Sequence, residues 1–116
     1  MTTARLASHA AAGITEMSPA QTYQARGTAR LIDVREAAEL TGELGHIAGV
    51  EHVPLATVAA WAFTWRKDET LILICRSGAR STRAAEALLR AGYSRICNMS
   101  GGMLAYNASG LPLETR

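Results

Sequence analysis

A run of four apolar residues, Leu71–Ile74, constrains the fold of this chain more than any other segment. A strand that is apolar on both faces is typical of the centre of a parallel sheet covered on both sides. Elsewhere, short β-type runs alternate with helical patterns. This alternation predicts an α/β fold: one domain with a five-stranded, mostly parallel sheet and helices on both faces.

The predicted elements divide the chain into strands and helices of ordinary length. Ser18 is expected to cap the first helix, with Pro19 at its first position and Gln21 closing a capping box. Trp61 and Trp65, four residues apart, are expected to pack from one face of a helix. The predicted strands are residues 14–17, 30–34, 51–54, 70–74 and 95–99, and the predicted helices are 19–27, 36–41, 55–65, 81–91 and 102–107.

Length and composition narrow the class of protein. The 116 residues suffice for one domain, and the hydrophobic fraction of 48% allows a core to be buried. A net charge of +2 is too small to indicate nucleic-acid binding, and no apolar stretch is long enough for a membrane span.

We expect residues 1–13 to form an N-terminal extension, helical or frayed, before a domain at 14–116. With no acidic residue, the extension also leaves an organellar transit segment open. Two cysteines make no disulfide framework, so a cytoplasmic location is expected.

The segment after the central strand places a cysteine in front of a helix. Cys75 is expected at the carboxyl end of the strand, where ligands of open α/β sheets usually bind. Free N–H groups and the positive end of the helix dipole favour an anion there. The thiol should therefore ionise more readily than a free cysteine, and the thiolate is its reactive form. This arrangement predicts a cysteine nucleophile that acts on an anionic substrate.

The six residues after Cys75 are the candidate binding residues. Inward-pointing amides of such a loop form an anion-binding nest, and Gly78 supplies the backbone freedom that a tight loop needs. Small side chains leave the mouth open, and two guanidinium groups add positive charge. The candidates are Arg76, Ser77, Gly78, Ala79, Arg80 and Ser81.

Four segments together resemble one family. Cys75–Ser81, with the sequence CRSGARS, resembles the active-site loop of the rhodanese sulfurtransferases. Three further stretches are similar to rhodanese segments and follow in the same order: DVRE at 33–36, GHIAGVEHVPL at 45–55 and NMSGGM at 98–103. The similarity covers roughly residues 14–110. Its departures, Ala48, Val50 and His52, lie outside the loop.

The resemblance implies a single rhodanese-like domain whose Cys75 cycles through a persulfide. It implies a small anionic donor such as thiosulfate, and a thiophilic acceptor such as cyanide, a thiol or a thioredoxin-like protein. Arg80 is implied as the main carrier of positive charge at the site, ahead of Arg76. Asp33 and Arg35 are expected to support the site through an ion pair or a helix cap. No metal, cofactor, nucleic acid or membrane partner is expected.

Three alternatives stay open at this stage. One is a non-catalytic rhodanese-like module that binds partners or anions. Another is a redox sensor in which Cys97 resolves an oxidised Cys75, which requires their strands to be neighbours; otherwise Cys97 is an inert core residue. The third is a phosphatase, although cysteine-dependent phosphatases use a longer Cys-x5-Arg loop, whereas Cys75 and Arg80 enclose four residues.

Overall fold

The computed structural model describes residues 13–116, and a five-stranded sheet forms its centre. Every strand pair in the sheet is parallel, and the strand order is β1-β5-β4-β2-β3. The prediction for residues 1–12 lies outside the described residues. The strands are β1 Ile14–Met17, β2 Arg30–Asp33, β3 Glu51–His52, β4 Leu71–Ile74 and β5 Ile96–Met99. The sequence-based prediction of a mostly parallel five-stranded sheet is confirmed.

Four α-helices connect the strands, and a fifth follows the last strand. The predicted capping box is present at the first, because the Gln21 amide donates to Ser18 Oγ over 3.1 Å and the Ser18 amide donates to Gln21 Oε1 over 2.8 Å. That helix ends at Gln24, short of Gly27. The helices are α1 Pro19–Gln24, α2 Ala37–Leu40, α3 Val58–Trp61, α4 Ala79–Arg90 and α5 Gly102–Ala108.

The predicted continuous helix over residues 55–65 is wrong. The segment consists of a 3-10 turn at Leu55–Thr57, then α3, then a second 3-10 turn at Ala62–Thr64. Because the winding changes after Trp61, the two tryptophans do not share a helix face as expected. Trp65 is buried, whereas Trp61 is half exposed.

Helices cover both faces of the sheet, as predicted. Leu71 and Leu73 of β4 pack in one core cluster with residues of α3 and α4, while Ile72 and Ile74 pack in a second cluster with residues of α5. All four β4 residues are completely buried, which is the environment that their apolar run predicts. No helix within residues 13–116 is both long enough and apolar enough to cross a membrane.

Candidate active site

Cys75 directly follows β4 at the carboxyl edge of the sheet. Its Sγ accepts a hydrogen bond of 3.0 Å from the Gly78 amide and lies 3.3 Å from Ser81 Oγ. The residue is only 1% exposed. The sulfur therefore points into its own loop, and one backbone donor is aimed directly at it.

Gly78 makes the turn between Cys75 and α4. Its φ of 109° lies in the region that side chains with a Cβ rarely adopt, and it is the N-cap residue of α4. Its carbonyl oxygen accepts from the Thr82 amide at 3.1 Å and from Thr82 Oγ1 at 2.8 Å. As a result α4 begins at Ala79, two residues before the predicted start, and Ala79, Arg80 and Ser81 form its first turn.

The start of α5 packs against the backbone of the same loop. The Met103 amide donates to the Cys75 carbonyl over 2.8 Å, and the Leu104 amide donates to the Arg76 carbonyl over 3.0 Å. A Cβ on Gly102 would lie 2.5 Å from the carbonyl oxygens of Cys75 and Arg76. The glycine thus permits a close approach that fixes these carbonyl groups on α5.

Arg80 is held by a carboxylate of α2. Its Nη1 and Nη2 atoms bond Glu39 Oε2 and Oε1 over 2.8 and 2.9 Å, with both side chains about 30% exposed. The hydrogen bonds from Arg80 lower the pKa of Glu39 to about 2, although partial burial opposes this shift. In return, the bonded Glu39 raises the pKa of Arg80. Much of the Arg80 charge is therefore balanced by Glu39.

Arg76 is exposed and has no salt bridge within residues 13–116. It borders a cleft of about 350 Å³ on the α2 side of the loop, together with Arg35, Glu39, Gly42, Glu43 and Leu44. Its guanidinium group is therefore more available to a ligand than that of Arg80, whereas the family resemblance ranks Arg80 ahead of Arg76.

Asp33 and Arg35 form the expected ion pair, and it is completely buried. Arg35 Nη2 lies 2.8 Å from Asp33 Oδ2, and the two side chains are 1% and 0% exposed. The same nitrogen donates to the Gly45 carbonyl over 2.7 Å, and the Arg35 carbonyl lies 2.7 Å from His52 Nε2. Within the described residues, these bonds fasten the α2–β3 loop and the last residue of β3 to the end of β2, and they do not reach the thiol.

A polar network that sequence reasoning missed begins behind Ser81. Ser81 Oγ donates to Asn98 Oδ1 over 2.5 Å, and Asn98 Nδ2 donates to the Glu16 carboxylate over 3.1 and 3.3 Å. Ser100 Oγ also donates to Glu16, over 2.6 Å. Glu16 and Asn98 are register partners on β1 and β5. Two features of the sequence could have indicated it: a polar Asn98 within a predicted strand, and the place of Asn98 and Ser100 in the rhodanese-like segment NMSGGM at 98–103.

A cleft of about 560 Å³ lies beside the loop on the side of this network. Among residues 13–116, no arginine or lysine lines it, and Glu16 has the one charged side chain. The residues are Glu16, Met17, Ser18, Pro19, Ser77, Gly78, Thr82, Asn98, Ser100 and Gly101.

Cys97 lies on the strand next to that of Cys75 but on the other face of the sheet. It pairs in register with Ile72 and belongs to the core cluster of α5, whereas Cys75 belongs to that of α4. An offset of three residues plus one strand spacing separates the two Cα atoms by about 11 Å. A disulfide needs less than about 7 Å, so this arrangement does not favour the redox-sensor alternative.

Comparison with known proteins decides the family. The sequence model of one protein family, described as the rhodanese-like domain, matches residues 18–109. The chain belongs to the rhodanese-like family. A sulfurtransferase of Allochromatium vinosum is 35% identical to this rhodanese-like domain over 83 residues, which are 72% of this chain and 76% of that protein.

Two further similarities extend this result. The thiosulfate sulfurtransferase GlpE of Vibrio cholerae is 23% identical over 99 residues, 85% of this chain and 92% of the relative. A rhodanese-related crystal structure from Thermoplasma volcanium superposes with a TM-score of 0.78 at 26% identity, covering 88% of this chain and 99% of that one. Two longer relatives, from Bacillus subtilis and Synechocystis, are matched over only 57% and 45% of their lengths.

Proposed function

We propose that this rhodanese-like domain transfers sulfane sulfur from an anionic donor such as thiosulfate to cyanide or a thiol through a persulfide on Cys75. The observation that carries the proposal is the Gly78 amide, which donates a hydrogen bond to Cys75 Sγ at the start of a helix. Donors so placed stabilise negative charge on sulfur. The names of two relatives, a sulfurtransferase and a thiosulfate sulfurtransferase, support the same chemistry.

The transfer consists of two displacements at sulfur. In the first, the Cys75 thiolate attacks the outer sulfur of thiosulfate; a new S–S bond forms while the donor's S–S bond breaks, and sulfite leaves with the electron pair. In the second, cyanide or a thiolate attacks the terminal sulfur of the persulfide. The electron pair of that S–S bond returns to Cys75 as thiolate. The cycle needs no external oxidant or reductant and gives ping-pong kinetics.

The loop residues have separate roles in this proposal. The Gly78 amide holds the sulfur and its negative charge, the small side chains of Ser77 and Ala79 leave the mouth of the loop open, and Ser81 contacts the sulfur from α4. Arg76 and Arg80 attract the anionic donor. The buried pair of Asp33 and Arg35 supports the loops around the site from β2.

The proposal includes the setting and the acceptor. A thiol that must stay reduced between turnovers suits the cytoplasm. The acceptor class comprises cyanide, small thiols and thioredoxin-like proteins, because each offers a nucleophile to a persulfide.

Intact-mass measurement tests the proposal. The reduced protein is incubated with thiosulfate, freed of excess reagent and weighed; we expect a gain of one sulfur atom that cyanide or dithiothreitol removes. Cys75→Ser should abolish the gain and Cys97→Ser should retain it. An unchanged mass under all donor concentrations would support a binding module instead. A gain that persists in Cys75→Ser would place the sulfur on another residue and contradict the assignment.

A further inference from the structure

We infer that Glu16, on the edge strand β1, is a positioning residue that sets the protonation state of Cys75 through Asn98 and Ser81. This inference rests on the proposed role of Cys75 as the nucleophile. It concerns a residue outside the loop, joined to the thiol by three consecutive contacts through two side chains, Ser81 and Asn98.

The carboxylate fixes the orientation of the Asn98 amide. An ionised carboxylate only accepts hydrogen bonds, so the Asn98 atom that faces Glu16 must be the donor Nδ2. The carbonyl Oδ1 consequently faces Ser81. Asn98 is 4% exposed, so water cannot easily replace either partner.

The Asn98 carbonyl in turn fixes the Ser81 hydroxyl. A hydroxyl has one hydrogen, and Ser81 directs it to Asn98 Oδ1 over 2.5 Å. The other oxygen within reach, the Gly78 carbonyl at 3.1 Å, already accepts from Thr82 twice. Ser81 Oγ therefore presents a lone pair to Cys75 Sγ, 3.3 Å away, and can accept a hydrogen bond from the uncharged thiol.

Two contacts on the sulfur thus act in opposite directions. The Gly78 amide favours the thiolate, whereas the Ser81 lone pair favours the uncharged thiol. No proton passes to Glu16, because an amide cannot relay one; the network controls orientation only. The other charged groups at this edge are Arg76, which has no salt bridge within residues 13–116, Arg80, which is paired with Glu39, and the buried Asp33–Arg35 pair. Glu16 is the charged residue that acts through hydrogen bonds to Ser81.

Glu16→Gln is expected to release this control. A glutamine at residue 16 can donate, so the Asn98 amide can turn over and donate to Ser81 Oγ. The Ser81 hydrogen is then free to point at the sulfur and stabilise the thiolate. Keeping the Cys75 thiol from becoming too acidic benefits catalysis, because the nucleophilicity of a thiolate falls as its parent thiol becomes more acidic.

Alkylation by iodoacetamide across pH 5 to 10 tests the inference, with Cys75→Ser as the blank. If Glu16→Gln raises the thiolate fraction of Cys75 about tenfold at low pH, the nucleophilicity of each thiolate falls by about threefold. The Glu16→Gln profile should therefore cross that of the parent, about threefold faster at pH 6 and about threefold slower at pH 10. Overlapping profiles would overturn the inference. An alkylation rate that rises at every pH, or falls at every pH, would also contradict the inference, because it would indicate altered access to the sulfur.

Two further variants separate the network from other effects. Removing the Glu16 charge could also favour the thiolate directly, so the substitution is repeated in a Ser81→Ala background. The crossing should disappear there; a crossing that persists would show that charge alone is responsible. Ser100→Ala, which removes the other hydrogen bond to Glu16, should keep the parent profile within twofold. The readout needs no sulfur donor, so it stays valid even if thiosulfate loads no sulfur.

Discussion

The Met103 amide donates a hydrogen bond of 2.8 Å to the carbonyl oxygen of Cys75, so the last helix is attached to the residue that carries the candidate nucleophile. The contact exists because α5 begins with Gly102, which has a φ of 60° and no side chain between the two backbones. Elements that are distant in sequence therefore determine the shape of the loop together.

Gly102→Ala should damage both the fold and the loop. The new Cβ would lie 2.5 Å from the carbonyl oxygens of Cys75 and Arg76, in addition to the strain of a positive φ. We expect a loss of about 3 kcal/mol in the free energy of unfolding, measured by urea denaturation. Gly110→Ala is the matched control, since Gly110 has a φ of 72° with nothing within 4 Å of the added carbon. It should lose only about 1 kcal/mol; equal losses would show that the close approach is unimportant.

Much of this fold follows from local sequence. The apolar run of β4 and the alternation of strands and helices predict the sheet, and Ser18, Pro19 and Gln21 predict the start of α1, because these signals operate over a few residues. The position of Cys75 before a helix follows for the same reason. The loop order Cys75–Ser81 also carried the family resemblance, which the comparison confirmed.

The parts that could not be predicted depend on distant partners. Asn98 and Glu16 are 82 residues apart in the sequence and meet only because β1 and β5 are neighbours in the sheet. A shift of the β1–β5 register by one residue would place their side chains on opposite faces. Arg80 and Glu39 are 41 residues apart. The ranking of Arg80 over Arg76 came from the family resemblance of the loop, and no local pattern indicates that a carboxylate of α2 balances the Arg80 charge.

Arg80→Ala should weaken turnover of thiosulfate more than it weakens folding. The Arg80–Glu39 bridge is partly exposed, so its loss should cost less than about 1 kcal/mol in the free energy of unfolding. Loss of a cation beside the sulfur should lower kcat/KM for thiosulfate by about tenfold, or about 1.4 kcal/mol. Steady-state rates measured on both proteins check this, and equal rates would remove Arg80 from the site.

Glu39→Gln is the matched variant for that experiment. It breaks the same salt bridge but leaves the Arg80 guanidinium in place and free of its counter-charge. Its kcat/KM for thiosulfate should therefore equal or exceed that of the parent. A fall equal to that of Arg80→Ala would show that the bridge itself, and not the arginine charge, matters for turnover.

Asp33→Asn should destabilise the protein strongly. The Arg35 guanidinium is 1% exposed, and the substitution removes the counter-charge while keeping the size of the side chain. Breaking a buried pair in this way costs about 3–5 kcal/mol, which urea denaturation will measure. Asp68→Asn is the control, because its pair with Arg66 is exposed, and it should leave the unfolding midpoint unchanged. A small loss for Asp33→Asn would show that the site tolerates an unpaired Arg35.

Cys97 should make stability depend on alkaline pH. Burial, with a smaller contribution from the charge of Glu16, raises the pKa of the Cys97 thiol. The folded protein therefore holds this proton more tightly than the unfolded chain, whose thiol has a pKa of about 8.5. The resulting stability is complete below that value and is lost as pH rises above it. Between pH 7.5 and pH 10, the urea midpoint should fall further for the parent than for Cys97→Ala. Tyrosines and lysines also titrate in this range, but they are common to both proteins, so their effect cancels in the comparison. If the variant loses as much stability as the parent over this range, the thiol is not the group that titrates.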